Sequence, residues 1–314
     1  MTSLLAYLAL QVAPLVAAGQ NPILAGADPD AVVVGDTVWI YPTDATHRIG
    51  AAFWAFSSKD LRTWTEHGPI LRFDDAPWIA ADKAPWHGAW APCVVQRGAK
   101  FYLYFAVGPQ SPGKPSRLGV ATGDSPAGPF RDSGKALFTG GEGFEAIDPM
   151  VFHDPESGRW LLYAGGSAGA KLRVWELDDT MTGLRREIPV TTPKEFTEGV
   201  FVHYRKGKYY LSYSHGWWQG SSYSAYYSTG PTPFGPWTYG GQILGSDATH
   251  KGPGHHAIFR KAGTDDWFVA FHEWPGAEGD GPYRGSRKIA IERLRYDREG
   301  RILPVRIADD VPKW

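Results

Sequence analysis

Three acidic residues stand in front of apolar, strand-like runs that lie far apart in the chain: Asp28 in GADPDAVV, Asp148 in AIDPMVF and Glu198 in TEGVFV. Two further runs open the same way with other residues, Trp90 in AWAPCVV and His255 in GPGHHAIF. Asp before Pro is a common turn opener, so Asp28 and Asp148 taken singly could be no more than that. Gathered in one cleft, the three acids imply more. Like charges oppose one another's ionisation, so one carboxyl can stay protonated as an acid while another stays ionised as a base toward water. An acid and a base placed across a glycosidic bond are the apparatus for hydrolysing it. Trp54, Trp86, Trp90, Trp217 and Trp218 offer flat faces on which a sugar ring could stack, although a Trp taken alone is more often core.

What would gather the acids is a repeat. The pattern of apolar strand, Gly-bearing turn and aromatic strand occurs five times, in residues 30–43, 91–108, 148–166, 198–216 and 255–274. Each is followed by a second strand pair, such as RLGVATGDSPAGPF, SAYYSTGPTPFGPW and, in the last copy, RKIAIERLRYDREG. Five copies of a four-stranded antiparallel unit with almost no helical periodicity predict an all-β, five-bladed β-propeller. In such a fold the first strand of each blade lines the axis, so Asp28, Trp90, Asp148, Glu198 and His255 are expected to meet at one mouth of the channel.

Composition narrows the possibilities. The 314 residues carry a net charge of −1, which provides no basic field for nucleic acid or an anionic membrane. Aromatic residues make up 14%, with 14 Trp, which fill β cores first and can also stack on sugar rings. The single cysteine, Cys93 in PCVV, reads as a small buried core residue. Residues 1–20 contain an apolar stretch, LLAYLALQVAPLVAA, followed by small residues. They read as a signal peptide or N-terminal extension, which makes secretion or export to a periplasm the expected localisation and the cytoplasm the alternative. Residues 21–314 are expected to form one catalytic domain. No glycine-rich phosphate loop sits between a strand and a helix, so no nucleotide cofactor is expected.

The ordered set NPILAGADPDAVVVGDTVWIY, AWAPCVVQRGAKFYLYF, IDPMVFHD, EGVFVHYRKGKYYLSYS, GPGHHAIF and SRKIAIERLRYDREGRI resembles glycoside hydrolase family 43, from about residue 21 onward. The resemblance implies an inverting hydrolase of arabinose- or xylose-containing plant polysaccharides. By position, Asp28 matches the family's general base, Asp148 the aspartate that tunes and orients the acid, and Glu198 the general acid. His255 resembles the channel histidine that often sits beside a metal ion, usually calcium, with His256 as the alternative by one residue. Arg287 of SRKIAI resembles the arginine that approaches the sugar and the acids. Asp30 and Glu195 are fallback acids. Cys93 stands where relatives often carry a polar residue, which puts a substrate contact there in doubt. The expected partner is an oligosaccharide or polysaccharide; nothing in the sequence sets an oligomeric state. The rivals are a sugar-binding propeller without catalysis, a retaining enzyme with a carboxylate nucleophile, an arabinan- or galactan-cleaving enzyme of the same fold, and a protein-interaction propeller.

Overall fold

Period-two apolar alternation closes each hairpin, and each hairpin draws the next strand pair into a twisted antiparallel sheet. The computed structural model describes residues 14–16, 19–43 and 51–314. Five sheets follow one another in it. Blade 1 runs Ala27–Val34, Thr37–Thr43, Ala52–Ser58 and Thr63–Arg72, with Pro14–Val16 pairing along its outer edge. Blade 2 is built on Ala89–Arg97, Lys100–Val107 and Arg117–Gly123, with the short strands Arg131–Asp132 and Phe138–Thr139 both pairing with the third. Blade 3 runs Met150–His153, Trp160–Ala164, Arg173–Leu177 and Leu184–Ile188. Blade 4 runs Glu198–Arg205, Lys208–His215, Ser224–Gly230 and Thr238–Leu244. Helical structure among the described residues is confined to two 3₁₀ turns, Phe73–Asp75 and Ala80–Asp82, in the loop from blade 1 to blade 2.

Blade 5 departs from the expectation that RKIAIERLRYDREG supplies a strand pair. Its strands are Gly254–Arg260, Trp267–Glu273 and Lys288–Leu294, and the fourth is Leu24–Ala25, from just ahead of blade 1. A propeller must join its last blade to its first, and here the N-terminal side of the chain does so. Of the expected N-terminal extension, residues 1–13 and 17–18 lie outside the described residues.

The apolar core follows the ring. Five buried clusters each lie between neighbouring blades, so every blade hides its faces against the next. Trp54 belongs to the cluster between blades 1 and 5 and is 8% exposed. The sugar-stacking role expected for Trp54 is therefore not available to it. It sits on the third strand of its blade, away from the axis, and its ring passes so close to Gly68 that a Cβ there would lie 2.9 Å from it.

Candidate active site

The axial mouth is shaped by one irregularity used repeatedly. In blades 1, 2, 4 and 5 the register between the first two strands slips, between Ala27 and Asp30, Trp90 and Cys93, Glu198 and Phe201, and Gly254 and Ala257. Each slip is a bulge containing a residue at positive φ: Asp28 (47°), Ala91 (42°), Gly199 (62°) and His255 (43°), with Asp148 (55°) at the matching place in blade 3. A left-handed backbone on non-glycine residues costs roughly 1–2 kcal/mol each and persists where the surroundings impose it.

This ring corrects the expected alignment. Asp28, Asp148 and His255 are equivalent, but their counterparts in blades 2 and 4 are Ala91 and Gly199. Trp90 and Glu198 lie one residue earlier, on the other pleat. The prolines carried that signal: Asp28-Pro29, Ala91-Pro92 and Asp148-Pro149 align on Ala91 rather than Trp90. The glycine beside Glu198 is thus explained. Gly199 takes the left-handed turn, and a Cβ on it would stand 3.1 Å from Ser214 Oγ and 3.3 Å from the His255 ring.

Despite the offset, the side chains converge. Asp28, Asp148, Glu198, His255, Arg287 and Trp90 all line one cavity of about 200 Å³ at the mouth. Each carboxyl has a distinct environment. Asp28 Oδ1 accepts from Arg287 Nη1 at 2.8 Å, and Oδ2 accepts from Thr43 Oγ1 at 2.8 Å. Burial alone would raise its pKa, but the Arg287 charge, reinforced by His255 and His272, holds it well below the usual carboxylate range. Asp28 is the group that stays ionised. Asp148 is driven the other way, well above its ordinary value, by burial first and then by the charges of Glu198 and Asp28. Its Oδ2 accepts the Gly199 N–H at 2.9 Å, which ties it to the backbone that carries Glu198.

Glu198 is held at both oxygens. The Tyr223 hydroxyl donates to Oε1 at 2.7 Å, and the Ser167 hydroxyl contacts Oε2. A serine hydroxyl can accept as readily as it donates, so the Ser167 side leaves Glu198 free to carry a proton. His255 Nδ1 lies 3.4 Å from Asp28 Oδ1 and 3.7 Å from Asp148 Oδ2, between the two acids. Its burial lowers its pKa, against the pull of Asp28 and Glu198. Beneath it, His272 Nδ1 lies 3.1 Å from the Asp28 backbone N and 3.2 Å from Asp28 Oδ1. Burial drives His272 down to about 4, so it is neutral above that. Ser167, Tyr223 and His272 are residues the sequence reading missed. Ser167 and Tyr223 lie outside the five repeated hairpins. His272, inside the fifth, stands where three other copies carry Thr43, Ala106 and Ser214, so no shared residue type marks it.

The aromatic walls differ from expectation in one respect. Trp90 reaches the cavity because its indole passes between two glycines; a Cβ on Gly88 would lie 2.3 Å from it, and one on Gly108 2.6 Å. Trp217 does not line the cavity; it is 49% exposed. Its neighbour Trp218 turns inward, stacked on Trp274 at 5.8 Å, with the Arg287 guanidinium 4.8 Å from its ring. In a loop, adjacent side chains diverge, and the inner place went to the residue beside Arg287. Trp86 stands half-exposed at the rim, 5.7 Å from Trp90. Of the fallback acids, Asp30 lies below the mouth and accepts the Val94 N–H at 2.7 Å, whereas Glu195 pairs outside with Lys194 and His215. Cys93 also lies below the mouth, buried, its sulfur accepting the Val151 N–H at 3.3 Å.

The expected calcium finds a poor donor set. Below the acids the axis narrows to a void of about 20 Å³ lined by Asp30, Cys93, His255 and His256 among others. Calcium takes six to eight oxygen ligands. Here Asp30 is already engaged with Val94, and His256 Nε2 pairs with Ser212 Oγ at 2.7 Å. Among the described residues no three His, Cys, Asp or Glu side chains form a metal-ligand set. His255 faces the acids, and the residues of the channel do not fit a hard cation.

Known proteins match this architecture. The chain is 34% identical over 305 residues to a β-D-galactofuranosidase of Aspergillus niger, covering 91% of this chain and 85% of that protein. It is 28% identical to a xylosidase/arabinosidase of Bacteroides ovatus, covering 90% and 96%. A solved β-xylosidase/α-arabinofuranosidase from a compost metagenome, complexed with xylotriose, superposes with a TM-score of 0.75 at 26% identity, covering 93% and 98%. The family model for glycosyl hydrolases family 43 matches residues 19–302. With five blades and a mouth of carboxylates already in hand, that match establishes the chain as a family 43 glycosyl hydrolase.

Proposed function

We propose that this hydrolase removes single α-L-arabinofuranosyl or β-D-xylosyl units from plant cell-wall oligosaccharides, with inversion. The observation that carries the reading is the contrast of two carboxyls in one small cavity. Asp28 is ionised by Arg287, and Glu198 is held between two hydroxyls on another wall. In this reading Asp28 takes a proton from the water that attacks the anomeric carbon, and Glu198 protonates the departing oxygen. Asp148 and Gly199 fix the backbone that presents Glu198, and Trp90 and Trp218 flank the sugar. A cavity of about 200 Å³ suits one sugar ring, which favours removal of terminal units. The reaction requires only carboxylates and water.

The similarity to a β-D-galactofuranosidase favours a second reading, in which the sugar is a β-D-galactofuranosyl unit. A panel of p-nitrophenyl α-L-arabinofuranoside, β-D-xyloside and β-D-galactofuranoside separates the two. Glu198→Gln should slow the accepted substrate by roughly 10²- to 10⁴-fold on natural leaving groups. NMR of the first-formed sugar should give the anomer opposite to that of the substrate. Retained configuration would replace Asp28's role as base with that of a nucleophile. Sugar binding without cleavage of any glycoside would turn the site into a lectin.

A further inference from the structure

A second cavity adjoins the first on the side of Glu198. It measures about 350 Å³, shares Gln110 with the acid pocket, and is walled by Pro112, Pro115 and Phe144. Two polar groups at its wall stand out. Glu145 is 6% exposed; its Oε2 accepts the Ala168 N–H at 2.5 Å, while its Oε1 is buried with no hydrogen-bond partner. Ser116 is 1% exposed, and its hydroxyl also has none. Buried polar atoms without partners are costly, and a pocket that keeps two of them at its wall suits a hydroxyl-bearing ligand or the water it displaces.

The connection to Glu198 runs through hydrogen bonds to one short backbone segment. Residues 166–168 run between the two acids: Gly166 bridges to Glu145, Ser167 bonds Glu198, and Ala168 bonds Glu145. Gly166 packs so tightly that a Cβ there would lie 2.8 Å from Glu198 Cβ. Glu198 itself lines the acid pocket, and the segment that holds it, through Ala168, also forms part of the wall of the second cavity, so the second cavity lies beside the acid.

We propose that the cavity receives the leaving-group sugar and that Glu145 is a specificity-determining residue that hydrogen-bonds one of its hydroxyls. The inference rests on the reading of Glu198 as the acid. Burial, opposed by the Ala168 N–H but aided by the charge of Glu198, raises the pKa of Glu145, so it can offer a proton as well as a lone pair. Pro112, Pro115 and Phe144 would cover the apolar face of the ring, while Ser116 would take a second hydroxyl. The apolar surface and sparse polar points suit a neutral sugar.

A comparison of leaving groups tests it. Glu145→Gln keeps the shape of the side chain and its acceptor for Ala168. It is assayed on the p-nitrophenyl glycosides, whose leaving group has no hydroxyls to read, and on xylobiose and arabinoxylo-oligosaccharides, whose leaving group is a sugar. The expected result is a loss of roughly 10- to 100-fold in kcat/KM on the oligosaccharides, with aryl glycosides within about 3-fold of wild type. Ser116→Ala should shift the same ratio in the same direction, and it serves as the second arm if Glu145→Gln lowers the unfolding midpoint. Equal losses on both substrate types, or no loss on either, overturn the leaving-group assignment while the glycosidase reading stands. A wild type inactive on every glycoside overturns both.

Discussion

At the residue scale the site depends on opposite treatment of similar groups. Asp28 and Asp148 are both buried aspartates at positive φ, yet one is held ionised and the other is pushed toward its protonated form. The difference is Arg287, whose guanidinium reaches Asp28. Arg287→Met should therefore raise the pKa of Asp28. Activity that requires ionised Asp28 is lost as pH falls through that pKa, so the acidic limb of kcat/KM against pH should move upward by ~1–2 pH units. An unmoved limb would mean that Asp28 is not the base, or that His255 and His272 alone keep it charged. Much of this cavity's lining was legible in the sequence, because Asp28, Asp148, Glu198 and His255 each stand at a strand start within a repeat, whereas Arg287 was legible only through the family resemblance of SRKIAI. Of the candidate pair Trp217 and Trp218, nothing in a WW sequence tells which ring turns inward; the deciding contacts, with Trp274 and Arg287, come from residues some 60 positions away.

At the scale of the strand, the bulge decides what faces the substrate and what faces the channel. Alternation alone would put Asp28 and Asp30, two residues apart, on one face. The extra residue inserted by the bulge between Ala27 and Asp30 sends Asp30 below the mouth, and because alternation does not count that residue, Trp90 and Glu198 are offset by one position from Asp28. Below the bulges, the first strands of blades 1 and 2 each make contact with the next by a side-chain acceptor: Asp30 takes the Val94 N–H and Cys93 the Val151 N–H. Cys93 thus has the structural task that Asp30 performs one blade earlier. The carboxyl is the costlier acceptor, since burial lifts Asp30 to about 7, against the N–H bond from Val94 that favours its charge. A folded pKa above the unfolded value contributes stability that is fully present below about pH 4 and lost as pH rises through about 7. Asp30→Asn keeps an acceptor for Val94 and removes the titration. Its unfolding free energy should fall less than that of wild type between pH 5 and pH 8, the difference being roughly 2–4 kcal/mol. Glu292, also raised to about 7, is common to both proteins and cancels in the comparison. Parallel pH profiles for the two proteins would show that Asp30 titrates normally.

At the scale of the molecule, five blades hold a site only while the ring stays shut. The repeat and its count could be read from the sequence, because each copy carries its own turn and aromatic strand. The closure could not, because Leu24–Ala25 is two residues long and resembles no repeat. Its neighbour Asn21 compensates for that brevity. The Asn21 amide donates to Ile291 O at 3.0 Å and Ala308 O at 3.1 Å, and its carbonyl accepts the Ile291 N–H at 3.0 Å. A third contact runs from the amide to Glu292 Oε1 at 3.3 Å. One side chain therefore joins the strand start, the last inner strand and the C-terminal segment, which also meet where Val311 N–H donates to Gly19 O at 3.0 Å. Asn21→Ala removes the clamp and leaves the Ile291 groups unpaired, at a cost of about 2–3 kcal/mol. For a chain of this size the unfolding midpoint should drop by roughly 3–5 °C. Because the acids come from blades 1, 3 and 4 while Arg287 comes from blade 5, loosening the seam between blades 5 and 1 should separate Arg287 from Asp28 before the fold is lost. Activity should then fall at a temperature below the midpoint seen by circular dichroism in Asn21→Ala, whereas the two should coincide in wild type. Coincidence in both would mean that Leu24–Ala25 and the apolar cluster between blades 5 and 1 close the ring without Asn21.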